Sequence, residues 1–470
     1  MFNEYMKTKT GPSAQVVPLK SQGAEKPKIS SKPTPAPVRS SKEIDTQLQA
    51  RLELKSRFHE SLLDRLNLSM IDKVDPKELR REVGNLVSAF LQEEGKILRS
   101  DEFKALVDEL LDEVLGLGPL EPLLADPTVS DILVNSYTRV YVERFGRLEP
   151  TNVRFRDEAH LLRMIDKIVS RVGRRIDESQ PWVDARLEDG SRVNAIIRPC
   201  AVDGPSVSIR KFSKIPLELD GLIDIGTLTE RSAALLKGIV EARLNILISG
   251  GTGSGKTTML NAMSSFIGLT ERVVTIEDAA ELQLQQDHVV RLETRPASIE
   301  GSGAVTQRDL VRNALRMRPD RIVVGEVRGS ESFDMLQAMN TGHDGSMTTI
   351  HANSARDALN RLEQMVTMVG VDLPLSAIRN QIASGIDIVL QLSRLSDGKR
   401  RVMSISEITG MEGEIITMQD IFIFKKMGKS ESGEVLGEFV ATGIRPKCYE
   451  QLVAAGIEIS PETFLRDEAV

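Results

Sequence analysis

The sequence predicts an α/β protein: a C-terminal core built on a helix-covered, largely parallel sheet, preceded by a small α+β domain and an N-terminal helical bundle. Three observations predict it. Apolar strand segments alternate with helical stretches from about Thr227 onward. One of these strands runs straight into a glycine-rich turn and a helix over Leu244–Thr258. Upstream, short alternating segments around turn residues follow longer stretches of helical spacing.

A chain of 470 residues exceeds one ordinary domain, and about three units is the expectation. Hydrophobic residues make up 40% of it, enough for buried cores. The net charge of −7 argues against a broad nucleic-acid footprint, leaving only local basic stretches such as Arg171 to Arg175. Cys200 and Cys448 are the only cysteines, so a tetracysteine zinc site cannot form and no disulfide framework is suggested. No hydrophobic signal core opens the chain and no run of about 18 apolar residues occurs, so a soluble cytosolic protein is expected.

Residues 1–39 are rich in Pro, Lys and Ser and cannot bury enough apolar surface to offset their ordering entropy, so they are read as a disordered tail. Ser40 and Glu43 fit a capping box, and Ile44, Leu48, Leu52, Phe58, Leu62 and Leu66 recur near helical spacing. Further helical stretches over Pro76–Gln92 and Ser100–Leu115 complete a three-helix bundle over 40–115, with a coiled-coil arm as the weaker alternative. Gly116-Leu-Gly-Pro-Leu120 then punctuates the chain. Strands are expected at Val129–Val134, Arg139–Val142, Val183–Leu187, Arg192–Ile197 and Ser206–Arg210, with a helix from Glu158 to Val172 capped by Asp157. These form the α+β domain, 116–213. A linker over 214–226 leads to the core at 227–470, whose strands are read at Ile246–Ile248, Val273–Ile276, Ile322–Val324, Met347–Ile350 and Ile388–Leu392. That alternation is consistent with a RecA-like nucleotide-binding fold.

Gly250, Gly255, Lys256 and Thr257 fill the G-x-x-x-x-G-K-[ST] pattern. In such a loop, Gly250, Gly251, Thr252, Gly253, Ser254 and Gly255 turn successive backbone N–H groups toward phosphate oxygens, and the following helix adds roughly half a positive charge. Lys256 reaches the β- and γ-phosphates, Thr257 offers a hydroxyl to Mg²⁺, and Thr258 continues the helix. The loop therefore implies a bound nucleoside triphosphate, taken as ATP.

Three further segments carry chemistry. Val273-Val-Thr-Ile-Glu-Asp278 ends a strand in two carboxylates, and the binding edge of a parallel sheet would turn Glu277 and Asp278 toward the phosphates or Mg²⁺. Asp320-Arg-Ile-Val-Val-Gly-Glu-Val-Arg328 suits a Walker B strand, with Gly325 where an Asp is usual and Glu326 left to polarise the attacking water. The competing reading makes Glu326 the partner of Arg328 in a salt bridge. His351 follows a strand and is a candidate for sensing the γ-phosphate, His343 a weaker one. Charge balance draws on Arg316, Arg318, Arg328 and Arg356 nearby, or on Arg186, Arg192 and Arg210 approaching from the preceding domain in an oligomer. Asp157-Glu-Ala-His160 spells a helicase box but precedes the phosphate loop and opens an amphipathic helix, so it is set aside.

As a set, Gly250–Thr258, Thr275–Glu281, Asn313–Arg328 and Thr341–Asn353 resemble the four boxes of the secretion ATPase superfamily, which powers type II and type IV secretion and type IV pili. Gly116–Leu120, Asp184–Ala195 and Ala441–Pro446 further resemble its CpaF (Tad/Flp pilus) branch. The resemblance covers roughly residues 100 to 455. It implies an aspartate box at Glu277 and Asp278, an atypical Walker B at Glu326 in which Gly325 is usual, and a histidine box at His351. Lys256, Glu277, Glu326 and His351 then carry catalysis. Thr257, Glu326 and Asp278 attend Mg²⁺, and Arg192 and Arg210 complete the nucleotide site. It also implies a homohexamer at the cytosolic face of a bacterial inner membrane, held there through platform proteins; from the net charge, no nucleic-acid partner is expected. Rotation of one domain against the other would drive pilus assembly. A type IV secretion motor, a nucleic-acid translocase and a non-catalytic scaffold are the alternatives.

Overall fold

The computed structural model describes residues 57–58, 75–212, 217–297, 302–370 and 372–466. The tail expected over 1–39 and nearly all of the first expected helix lie outside them, as do residues 213–216 of the linker region. Of the expected bundle, the helices Pro76–Glu93 and Ser100–Leu115 are described. Asp75 caps the first, its carboxylate accepting from Lys77 N at 2.8 Å. That helix buries Leu79, Val83, Val87 and Leu91, a stripe of one residue per turn.

Six strands follow: β1 (Val129–Ser136), β2 (Arg139–Arg144), β3 (Arg147–Pro150), β4 (Trp182–Arg186), β5 (Arg192–Ile196) and β6 (Ser206–Arg210). They pair antiparallel in the order β3-β2-β1-β6-β5-β4. β3 was not anticipated, because all four of its residues are exposed and it carries no apolar alternation. The helix Glu158–Arg171 turns Leu161, Met164, Ile165, Ile168 and Val169 into the core this sheet shares with Ile132, Val142, Val193 and Ile209. Asp157 caps it, accepting from His160 N at 2.7 Å, and His160 Nε2 lies 2.9 Å from the buried Glu113 carboxylate. The helicase-like string is thus a helix cap and a buried polar pair. Lys167 ties this helix to the C-terminal end of Ser100–Leu115 by donating to the carbonyls of Glu113, Val114 and Gly116 at 3.3, 2.9 and 2.6 Å.

The stretch expected as a linker is partly helix. Leu219–Asp224 forms one, and Leu219 and Leu222 are buried in the core of the second sheet. Their i, i+3 spacing puts both on one helical face, a signal too short to register against Pro216 and Gly221.

The second sheet has nine strands: β7 (Ile246–Gly250), β8 (Val273–Glu277), β9 (Val289–Glu293), β10 (Arg321–Val327), β11 (Met347–Ile350), β12 (Ile388–Arg394), β13 (Arg400–Glu412), β14 (Ile415–Lys429) and β15 (Val435–Ala441). Their order is β15-β14-β13-β12-β7-β11-β10-β8-β9. From β12 to β9 every neighbouring pair is parallel, and β13, β14 and β15 extend the sheet antiparallel. This is an α/β fold with a RecA-like ATPase core. β7 is buried throughout, with Ile246 and Ile248 in one core and Leu247 in the other, as the two-residue period of a strand requires. Each such side chain contributes about 1.5–3 kcal/mol by leaving water. The antiparallel extension escaped the sequence reading because the pairing slips register between Ile408 and Gly410 and again between Lys426 and Gly428, which breaks the alternation.

Because β7, β8, β10 and β11 are parallel, their C-terminal ends share one edge of the sheet. The glycine-rich loop after β7 and the carboxylates that end β8 and β10 sit on that edge.

Candidate functional site

β7 delivers Gly250 into the glycine-rich loop, and the helix Lys256–Ser264 leaves it. Gly253 and Gly255 hold φ of 67° and 96°, a left-handed region costly for residues with a Cβ. A Cβ on Gly250 would collide with the Ser254 hydroxyl and lie 2.7 Å from the Leu392 carbonyl, so glycine is required by close packing there. A Cβ on Gly251 would meet nothing within 4 Å and Thr252 is exposed, while Thr257 and Thr258 are half-buried on the first helical turn. Lys256 Nζ donates back to the carbonyls of Gly250 and Gly251 at 3.0 and 3.1 Å. Burial holds its pKa below the usual lysine value; Glu326 opposes the shift, and Arg328, Arg210 and Arg361 reinforce it.

Glu277 ends β8 and is buried. One carboxylate oxygen accepts from the backbone N–H groups of Glu281 and Leu282 at 2.8 and 3.0 Å. Among the described residues, the other is buried without a hydrogen-bond partner. Burial pushes the Glu277 pKa up to about 7 against those two bonds. Gly325, at the position where an Asp was first expected, lies on the neighbouring strand β10; a Cβ there would sit 3.0 Å from Glu277 Cγ. The glycine makes room for the carboxylate beside it.

Glu326 follows on β10 and accepts from Arg328 Nη2 and Nε at 2.6 and 3.1 Å. Arg328 also donates to Asp278 at 3.2 Å. Burial works against the Arg328 charge, but the Glu326 hydrogen bond and the charges of Glu326, Asp278 and Glu281 raise its pKa above the usual arginine value. The salt bridge weighed as a competing reading for Glu326 is therefore present. It orients the carboxylate without removing it from the edge. His351 directly follows β11, and β11 pairs with β10 so that Ile350 lies opposite Val327.

The smaller sheet faces the same edge. Arg192 donates to Glu281 at 3.1 Å, and Arg186 pairs with Glu293 at 3.0 Å. Arg210 is the cross-strand partner of Arg192, pairs with Asp131 at 3.3 Å, and is close enough to Lys256 to depress its basicity. The other arginines and His343 do not join them. Arg316 and Arg318 precede β10 and His343 precedes β11, which places all three at the opposite edge. Arg356 donates to the Ile416 carbonyl. Proximity in sequence to an active strand does not decide which end of the strand a residue occupies.

A family model described as type II/IV secretion system protein matches residues 113–433, well over half of the chain. The chain belongs to the type II/IV secretion system protein family. The match takes in the smaller sheet and all but the last strand of the larger one. A putative conjugal transfer protein of Mycobacterium tuberculosis is 40% identical over 325 residues, covering 68% of this chain and 92% of its own. Conjugal transfer protein TrbB of Rhizobium radiobacter is 33% identical over 293 residues, covering 62% and 86%. Among solved structures, the VirB11 ATPase of the Brucella suis type IV secretion system matches at 30% identity over 62% of this chain and 95% of its own, with a TM-score of 0.34.

Residues that the sequence did not single out also reach the loop of this family member. Arg400 Nε donates to the Gly253 carbonyl at 2.9 Å, and Arg394 and Arg400 each lie 3.5 Å from Glu143 of β2. The available signal was Asp397-Gly398 as a hairpin turn flanked by basic residues. What the sequence does not carry is that β12 pairs with β7, which sets Leu392 opposite Gly250.

Proposed function

We propose that this chain is a motor ATPase that hydrolyses ATP to drive assembly of a Tad/Flp-type pilus, working as a homohexamer on an inner-membrane platform. The observation that supports ATP hydrolysis is the convergence of Lys256, Glu277 and Glu326 on one sheet edge, faced by Arg192 and Arg210 from the second sheet; the pilus assignment rests on the resemblance of Gly116–Leu120, Asp184–Ala195 and Ala441–Pro446 to the Tad/Flp branch. The residues suit a triphosphate. The loop is left-handed at two glycines, and among the described residues the Ser254 hydroxyl beside it is buried without a hydrogen-bond partner. Among the described residues no group of three or more His, Cys, Asp or Glu is arranged to hold a metal alone. Mg²⁺ would accordingly be shared between the nucleotide phosphates and Thr257, with Asp278 and Glu326 close by, and would neutralise charge developing on the phosphoryl oxygens.

In this reading Lys256 exchanges its two loop carbonyls for phosphate oxygens. Glu326, held by Arg328, accepts a hydrogen bond from water aligned with the γ-phosphorus. The water oxygen bonds to phosphorus as the bond to the β–γ bridging oxygen breaks, and the proton the water loses leaves by way of the Glu326 carboxylate, giving ADP and phosphate. Arg192 and Arg210 lie on a sheet that meets the core through partly exposed ion pairs, so nucleotide-dependent movement between the sheets is the proposed power stroke. Among the described residues no helix is long and apolar enough to cross a membrane, which suits attachment through partners.

A second reading, a type IV secretion or conjugation motor, is favoured by the relatives named for conjugal transfer and VirB11. A nucleic-acid translocase has no comparable support. Deleting the gene and restoring it with wild type or Glu326→Gln separates these readings. Loss of surface pili, restored by wild type alone, supports the pilus motor. Intact pili with lost export of DNA or protein supports the second. Purified wild type without ATP turnover, or Glu326→Gln with unchanged turnover, would overturn both; an expected loss is about 10²–10⁴-fold.

A further inference from the structure

We propose that Glu143, Arg394 and Arg400 form a phosphate-responsive clamp joining the smaller sheet to the glycine-rich loop, in which nucleotide phosphate competes with the Glu143 carboxylate for the two guanidinium groups. The inference rests on the nucleotide site proposed above and goes beyond it by naming three residues that none of the box motifs contains.

The clamp is built from both sheets. β12 and β13 are joined by a tight turn at Asp397-Gly398, in which the Leu395 amide donates to the Lys399 carbonyl at 2.8 Å. Asp397 fixes the turn by accepting from the backbone of Lys399 and Val435 at 3.0 and 2.9 Å. Arg394 ends β12 and Arg400 begins β13, so the turn presents both guanidinium groups on one side of the loop. Arg400 bonds the Gly253 carbonyl, and a Cβ on Gly253 would stand 3.5 Å from Arg394 Nη1. From the other sheet comes Glu143, whose side chain is 14% exposed and whose two oxygens each face one arginine at 3.5 Å. Next to it Gly146 is buried, with φ of 78°, and a Cβ there would lie 2.9 Å from the Gly398 carbonyl. The backbones of the two hairpins are thus in close contact and position the ion pairs.

Two cations and one carboxylate leave a net positive charge beside a loop shaped for phosphate. Both contacts to Glu143 are long for charge-assisted hydrogen bonds, which run at about 2.7–2.9 Å. An arriving triphosphate carries several negative charges and offers shorter bonds. Its binding would draw the arginines from Glu143 and loosen the smaller sheet at this corner, and by linkage Glu143 would weaken nucleotide affinity.

The test is nucleotide affinity of the full chain, measured with a fluorescent ATP analogue for wild type, Glu143→Gln, Arg394→Ala/Arg400→Ala and the triple variant. Glu143→Gln should tighten binding about threefold at low salt, the scale of a partly exposed pair. The gain should shrink at about 1 M salt, where the screening length is about 3 Å. The arginine double variant should bind more weakly, and Glu143→Gln should add nothing in its background. Unchanged or weaker binding by Glu143→Gln, or an equal gain without the arginines, would overturn the clamp. Lys256→Ala serves as the reference. If it binds nucleotide normally, the site reading itself fails; if it loses binding while Glu143→Gln matches wild type, only the clamp fails.

Discussion

Arg328 holds Glu326 through two donors on one carboxylate oxygen, at 2.6 and 3.1 Å, and reaches Asp278 with its remaining nitrogen at 3.2 Å. One guanidinium therefore fixes the ends of β8 and β10 relative to each other. The residue pair separated by a single position in sequence is locked by a side chain that folds back along its own strand.

Replacing Arg328 by Lys keeps the charge but loses the fork that engages two carboxylates together. Glu326 would then wander by an ångström or so, and such misplacement costs up to about 10²-fold in rate. Arg328→Lys is expected to lower kcat by about 10- to 100-fold while nucleotide affinity changes only a few-fold. Steady-state turnover with a parallel binding titration checks this. A fall in affinity matching the fall in kcat would assign Arg328 to nucleotide binding instead.

Glu277 gives a pH signature. Its folded pKa is about 7, above the ordinary carboxylate value, because burial penalises the charge. Between the unfolded and folded values the native state holds a proton that the unfolded chain does not, so stability falls as pH rises through that window and levels off above 7. The shift corresponds to something on the order of 3 kcal/mol. Glu277→Gln, which cannot ionise, should therefore gain stability relative to wild type as pH goes from 5 to 8. Denaturant melts at both values measure it, and a constant difference between the two proteins would show that Glu277 does not titrate in this window.

Much of this edge was legible beforehand, and the reason is local. The glycine pattern, the strand before it and the carboxylates at strand ends all lie within short segments whose period and punctuation can be read directly. Parallel pairing then carries Glu277, Glu326 and His351 to one edge without further information. Partners across the sheets were not legible. Glu281 for Arg192, Glu293 for Arg186 and Glu143 for Arg394 are separated by long stretches of chain and meet only through packing. Nearness in sequence misleads for the same reason: Arg316 and Arg318 are near Glu326 along the chain and at the other end of its strand in space, whereas Arg192 and Arg210 reach the edge from the smaller sheet.

Gly325 illustrates how an apparent defect becomes a packing requirement. A methyl group at this position would meet Glu277 Cγ at 3.0 Å, closer than nearly all real Cβ contacts. Glu277 has little freedom to move, being tied to two backbone amides. Gly325→Ala should cost about 1–3 kcal/mol, the range for inserting a carbon into a packed core. Gly325→Asp should cost more, because it adds a second carboxylate against a buried one. Thermal melts of both variants check the order, and an alanine variant as stable as wild type would show that Glu277 can shift aside.

Arg192 separates a structural contact from a catalytic one. Its ion pair with Glu281 is partly exposed on both sides, and pairs of this kind contribute about 0.2–1 kcal/mol, so Arg192→Ala should unfold close to where wild type does. Arg192 also stands beside Arg210 on adjacent strands facing Lys256. If its role is to bind Glu281 and hold the two sheets together, Arg192→Ala and Glu281→Ala should lose turnover equally, and the double variant should lose no more. If its role is to stabilise the transferring phosphoryl group, Arg192→Ala should lose about 10³-fold or more while Glu281→Ala stays within a few-fold of wild type. The second pattern is expected, because an arginine released from Glu281 remains available to the nucleotide, whereas one removed by mutation does not.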